Sequence, residues 1–391
     1  MIFLEVLFYI LIFAILILLF ILLKDKNLLI TIVCSIFILE IILAPKLCID
    51  GVISGSMLFF YKVFPSLFSF LVVSNIILSC DGVYIYSKLI GKALCKPLRL
   101  PTSCSFVLII STLCGYPLGA KYACQLYEKK IIDLFTCERL LNIASNASPL
   151  FMLGSVGVSM LKSPFIGYIL LLSNLLSCIA MSFLIPSKKI YYKPIAYRNH
   201  SHANENIGKV FKNSIEDSLK NCISIGGFVI LFSVVNSILK NNILFNLLIN
   251  SISSVTHISG NIMEGIFLGM IEMTNGCSLI SSSTASLNLK IILVSFLFTF
   301  SGLSIISQVY SFTYKFKISL KKYSLRKILQ GIICSIFSLS LYNLFSLKLS
   351  QETFLPYYKI TTYFNNLFIL TIILLITPWI LYKLKQLFHV S

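Results

Sequence analysis

The stretch that decides the fold is Leu113-Cys114-Gly115-Tyr116-Pro117-Leu118-Gly119-Ala120-Lys121. It ends the apolar run Ser103–Cys114, which at 12 residues is too short to cross a bilayer as a helix. The glycines allow close backbone approach, and Pro117 can open a new helix where no donor is needed. A backbone break at membrane depth leaves polar groups that lipid cannot satisfy, so it must face protein or a water-filled cavity. The reading is therefore a broken or re-entrant helix built around a site.

Composition places that break in a membrane. Of 391 residues only 12% are Asp, Glu, Lys or Arg, against 57% hydrophobic and 13% aromatic. Mean hydropathy is +0.92. A soluble domain carries about 25% charged residues. This excludes a soluble enzyme, a disordered chain and a secreted disulfide scaffold, and predicts an all-α polytopic membrane protein. At ~20 residues per span the length allows roughly ten to twelve membrane segments. Net charge is +18, from 32 basic and 14 acidic residues. The basic residues cluster between apolar runs, which reads as positive-inside loops beside anionic lipid rather than a nucleic-acid surface. Twelve cysteines are scattered without a CxxC, and the four histidines form no ligand spacing with them, so no metal site is expected.

Working outward, Ile2–Leu23 and Leu28–Leu43 read as spans, the first retained with its N-terminus outside. Gly51–Lys62 is amphipathic and leads through Pro65 into Leu67–Leu78, a helix with a break. Tyr84–Arg99 is basic and interfacial. Asn146-Ala147-Ser148-Pro149 repeats the break logic before the short run Leu150–Leu161, and Phe165–Ile185 is a clean span. Glu216–Leu239 and Ile243–Ile258 follow, then the short Gly265–Met273, which breaks at Thr274-Asn275-Gly276. Leu289–Phe312 carries Ser301-Gly302 at its centre. A basic loop at Lys315–Lys327 precedes Ile328–Phe345 and Leu367–Tyr382, with the C-terminus inside.

Val72-Val73-Ser74-Asn75 and Ser233-Val234-Val235-Asn236 end similar segments, at an offset of 236 − 75 = 161. Short, interrupted apolar segments at matching places in two halves point to a transporter binding site. The chain divides accordingly into N-terminal helices (1–47), a first repeat half (48–186), a basic cytoplasmic linker (187–213), a second half (214–314) and a basic loop with C-terminal helices (315–391).

The candidate binding residues are Gly115, Tyr116, Pro117, Gly119, Lys121, Asn146, Ser148, Pro149, Thr274, Asn275 and Gly276. Half-helix N-termini suit an anion. Tyr116 adds an aromatic face, and Lys121 is either a counter-charge or a cation snorkelling to the interface. Glu272, a carboxylate beside a break, is the candidate for coupling to Na⁺ or H⁺; the structural alternative is a carboxylate paired with Lys121 or a water. Glu40 and Glu264 are weaker candidates. No hydrolase, transferase or nucleotide-binding motif occurs, so neither an enzyme nor an ATP-driven pump is expected, and no cofactor beyond a coupling ion.

At these residues the chain resembles the YlbJ (stage V sporulation protein V) family, grouped with the nucleoside-recognition or Gate-domain membrane proteins. VFPSLFSFLVVSNIIL (63–78), LCGYPLGAKYACQLYEKKII (113–132), ERLLNIASNASPLFMLGSVGVSML (138–161), GGFVILFSVV (226–235) and EMTNG (272–276) carry the likeness. Ser145 stands where the family pattern has an asparagine. The resemblance implies a fold similar to concentrative nucleoside transporters and a place in the mother-cell-derived membrane around the forespore. It also implies export of dipicolinic acid toward the forespore. The alternatives are a nucleoside or small-metabolite transporter of the same fold, or a non-transporting scaffold for spore cortex formation. The expected partners are a small anionic solute, the bilayer and a second copy in a homo-oligomer.

Overall fold

The computed structural model describes residues 26–80, 82–186, 206–256 and 258–349. The spans read at Ile2–Leu23 and Leu367–Tyr382, and linker residues 187–205, lie outside the described residues. The chain divides into two units, Met1–Leu341 and Tyr342–Ser391. All packing below belongs to the first; the described residues 342–349 of the second are helical.

Among the described residues helices joined by short breaks are found, and no strand. Among the described residues four helical stretches are long and apolar enough to cross a membrane, Leu287–Thr313 taken across its break at Ser301, or up to six spans if each sharply bent pair counts as one. Much of the described chain is spent on half-length helices. α1 (Lys26–Leu43) turns by 103° at Ala44 into α2 (Pro45–Met57). The break expected near Pro65 is instead a π-turn, Leu58–Val63, running into α3 (Phe64–Ser79). Pro65 sits in the first turn of α3, where its missing N–H costs least. α3 bends by 87° into α4 (Gly82–Leu89), which carries Lys88 in its last turn.

The first half then runs α5 (Ser105–Cys114), a break, α6 (Leu118–Glu128), α7 (Leu134–Ala144), a second break at 145–148, the π-helix Phe151–Met160 and α8 (Pro164–Leu184). The second half begins with α9 (Ile207–Asn241), packed along α2 and α3. α9 starts inside the segment read as linker because the Asn206 side chain caps it, accepting from Gly208 N at 3.0 Å. Next come α10 (Ile243–Thr256), α11 (Gly260–Ile271), a break at Glu272 and α12 (Met273–Ser282). They are followed by α13 (Leu287–Phe300), a break at Ser301, α14 (Gly302–Thr313) and α15 (Leu320–Leu349). α15 begins within the stretch read as a basic loop and takes Lys327 into the helix.

The order helix–break–helix, helix–break–helix, long helix thus recurs. The matching points keep nearly one offset: 272 − 115 = 157 at the first breaks and 301 − 145 = 156 at the second. In each half the two breaks lie side by side. Gly115 has φ +78, and a Cβ there would meet Ser148 N at 2.5 Å; Gly302 has φ +75, and a Cβ there would meet Ile271 O at 3.0 Å. Only glycine combines the left-handed backbone with that closeness.

Candidate functional site

Residues from both halves line one cavity of about 120 Å³, measured at water centres. The first half supplies Tyr116 and Ser148, the second Glu272 and Thr274, and α3 and α9 close it with Leu67, Ile225 and Val229. Four candidates read from the sequence therefore meet in space, although residue 116 and residue 274 are far apart in the chain.

The local folding explains their positions. Gly115 N bonds Ser111 O at 2.9 Å and ends α5. The Tyr116–Pro117 peptide is cis, and the Pro117 carbonyl accepts from Ala120 N (3.0 Å) and Lys121 N (3.2 Å) to start α6. The Tyr116 hydroxyl donates to Thr299 O at 2.9 Å, satisfying a carbonyl at the end of α13 in the other half. Ser148 Oγ accepts from Phe151 N at 3.2 Å and caps the helix after the second break.

At the other break the non-helical residue is Glu272 itself, with φ −138 and ψ 112; Thr274, Asn275 and Gly276, read as the break, form the first turn of α12. Glu272 Oε1 accepts from Thr274 N (3.1 Å) and Oε2 from Asn275 N (2.9 Å). The residue is 5% exposed. The helix N-terminus expected to receive an anionic solute thus already holds a carboxylate of the chain.

Other candidates lie off the cavity. The Lys121 ammonium is buried against Asn75 Oδ1 at 3.3 Å, and Tyr122 OH donates to the same oxygen at 3.0 Å; the Asp217 carboxylate on α9 acts on that lysine. Lys121 neither snorkels to the interface nor faces the cavity. Gly119 packs against the end of α7, where a Cβ would meet Ala144 O at 2.3 Å. Gly276 packs against Gly269 of α11. Asn146 donates to Ile143 O at 2.8 Å and accepts from Gln330 Nε2 at 3.0 Å, which ties the break rather than lining the cavity. Pro149 and Asn275 do not line it either. Glu264 pairs with Lys240 at 3.6 Å, and Glu40 accepts from Asn242 at 3.5 Å.

Sequence reading missed Ser304 and Gln308, which line the cavity from α14. Their signal was present: two polar residues four apart in an apolar span, on one helix face. It also missed Lys327, which is 0% exposed on α15. Its Nζ donates to Ser145 O and to Gln330 Oε1 (2.8 Å), and lies 5.3 Å from the centroid of the Tyr116 ring. Among the described residues no group of His, Cys, Asp and Glu is arranged to hold a metal ion.

No family model matches the chain, and no solved structure matches it. Over 320 residues it is 25% identical to the sporulation integral membrane protein YlbJ of Bacillus subtilis (strain 168), covering 76% of this chain and 78% of that protein. With its broken helices and apolar spans, this likeness supports the assignment of the chain to the YlbJ family of sporulation integral membrane proteins.

Proposed function

We propose that this integral membrane protein acts in sporulation as a secondary transporter of a small polar or anionic solute. Dipicolinate, exported across the mother-cell-derived membrane toward the forespore, is the substrate of this reading. The observation that carries it is the convergence of a broken helix from each half on one cavity, with Tyr116 and Ser148 facing Glu272 and Thr274. A single water occupies ~10–15 Å³ by the same measure, so the space suits several waters or the leading part of a single-ring solute. The apolar walls and few polar groups are those of a small-molecule site.

The test is flux of labelled dipicolinate into liposomes holding the purified protein, with and without Na⁺ and pH gradients. Saturable uptake that is lost in Thr274→Phe, which fills the cavity, supports the reading. No movement by folded protein refutes dipicolinate as substrate. A nucleoside panel on the same vesicles tests the alternative, which one observation favours: no lysine or arginine lines the cavity itself.

A further inference from the structure

We infer that Lys327, in its ammonium form, is the positive charge that makes the cavity prefer an anionic solute. This deepens the transporter reading and rests on it.

Lys327 is wholly buried, and among the described residues no carboxylate lies within ion-pair distance of it. Burying an ammonium costs several kcal/mol unless its donors and its charge are answered. Its donors are answered by Ser145 O, Gln330 Oε1 and the face of Tyr116. Its charge is answered only in part. Ser145 is the C-cap of α7, where the helix dipole supplies about half a negative charge. The excess is directed at Tyr116, whose ring faces the ammonium and whose side chain lines the cavity. The Tyr116 hydroxyl is pinned to Thr299 O, which holds the ring in place beside the cation.

Of the other charges near the site, only Glu272 lines the cavity, where its negative charge works against an anion and is offset in part by the N-terminus of α12. The Glu272 carboxylate is spent on the two N–H groups that open α12. Lys121 bonds Asn75 and feels Asp217. Arg139 is turned away onto the carbonyls of Leu98, Ser182, Ile185 and Pro186. A lone ionisable group inside a membrane protein marks a solute or ion pathway by default, and here it has one cavity beside it.

The magnitude follows from distance. A solute stacked on the cavity side of Tyr116 would lie about 9 Å from Nζ. At an effective dielectric constant of about 20, one unit charge at that range changes affinity roughly 20-fold.

The experiment compares dipicolinate with its neutral diamide, pyridine-2,6-dicarboxamide, in vesicles holding the native protein, Lys327→Gln, Lys327→Met, Lys327→Arg or Lys121→Met. The expected result is a preference for the dianion that falls at least tenfold in both neutral Lys327 variants. Arg at 327 and Met at 121 keep the preference. A merely structural lysine would alter total flux and leave that ratio alone. An unchanged ratio in Lys327→Gln, with native flux intact, overturns this inference and spares the transporter. Native protein that moves neither probe refutes dipicolinate as substrate, and this inference falls with it. Should neither neutral variant be monodisperse, competition on native protein decides: a diamide that inhibits as well as dipicolinate overturns the inference.

Discussion

Replacing Glu272 should unlatch α12. The carboxylate is the N-cap of that helix and accepts from two backbone N–H groups, Thr274 N and Asn275 N. At 5% exposure bulk water is largely kept from it, although it lines the cavity. A buried donor left without a partner costs about 1–3 kcal/mol, and loss of an N-cap about 0.5–2 kcal/mol. Glu272→Ala orphans both groups, so about 3 kcal/mol is expected. Glu272→Gln keeps one acceptor but turns an amide donor toward the other N–H, for about half that loss. Cys277, one turn into α12, is a free thiol with 0% exposure and reports local opening. A loss of 3 kcal/mol raises the open population about 150-fold. Site-resolved thiol labelling, read by mass spectrometry in detergent or nanodiscs, measures it. The expected order of Cys277 labelling is native slowest, Gln intermediate and Ala fastest. A Cys277 rate in Glu272→Ala equal to native would refute the capping role and with it the account of the second break.

Three further outcomes are expected. Gly119→Val forces a branched side chain against Ala144 O and should cost about 1–3 kcal/mol or more in equilibrium unfolding, whereas Gly227→Ala, with nothing within 4 Å of the added Cβ, should hold or raise stability. Arg139→Lys loses a planar fork that donates to carbonyls of Leu98, Ser182, Ile185 and Pro186; a single ammonium cannot replace it, and thermal unfolding should show a loss of about 2–4 kcal/mol. Asn75→Ala removes the acceptor of both Lys121 and Tyr122 and the donor to Ser218, and should lower stability by about 2–4 kcal/mol, more than Ser218→Ala alone.

What could be read from sequence was whatever the backbone rules dictate locally. The run ending at Cys114 is too short for a span, and Gly115 and Pro117 interrupt it, so the first break was visible. Ser301-Gly302 reads as a polar pair at the centre of one span, Leu289–Phe312, so the helix break there, with Ser301 at φ 78, was not read. Charge placement was not legible in the same way. Lys121 looked like the counter-charge because it follows the break by one turn. Which way that turn faces depends on packing against α3, where Asn75 takes the ammonium. Lys327 looked like the last residue of a basic loop. Only the return of α15 across the first half puts it beside Ser145 and Tyr116, 182 residues from the carbonyl it caps. Thr274-Asn275-Gly276 reads as a breaker by composition, yet it is helical because the carboxylate just before it satisfies the first free N–H groups.

The recurring order of broken helices is accompanied by matching side-chain bonds between the two halves. Asn174 on α8 donates to Thr299 Oγ1 beside the second-half break, at 3.2 Å. Gln330 on α15 donates to Asn146 Oδ1 at the first-half break, at 3.0 Å. Their offset, 330 − 174 = 156, is that of the breaks themselves. Each half therefore sends an amide from its last long helix into the broken helix of the other. Tyr116 and Lys327 complete the exchange, the first reaching Thr299 O and the second Ser145 O. A motion that shifts one set of half-helices against the other must part these bonds or carry them along. Tyr116 of that exchange lines the cavity together with residues of both halves, so a solute there touches the elements on which both halves depend.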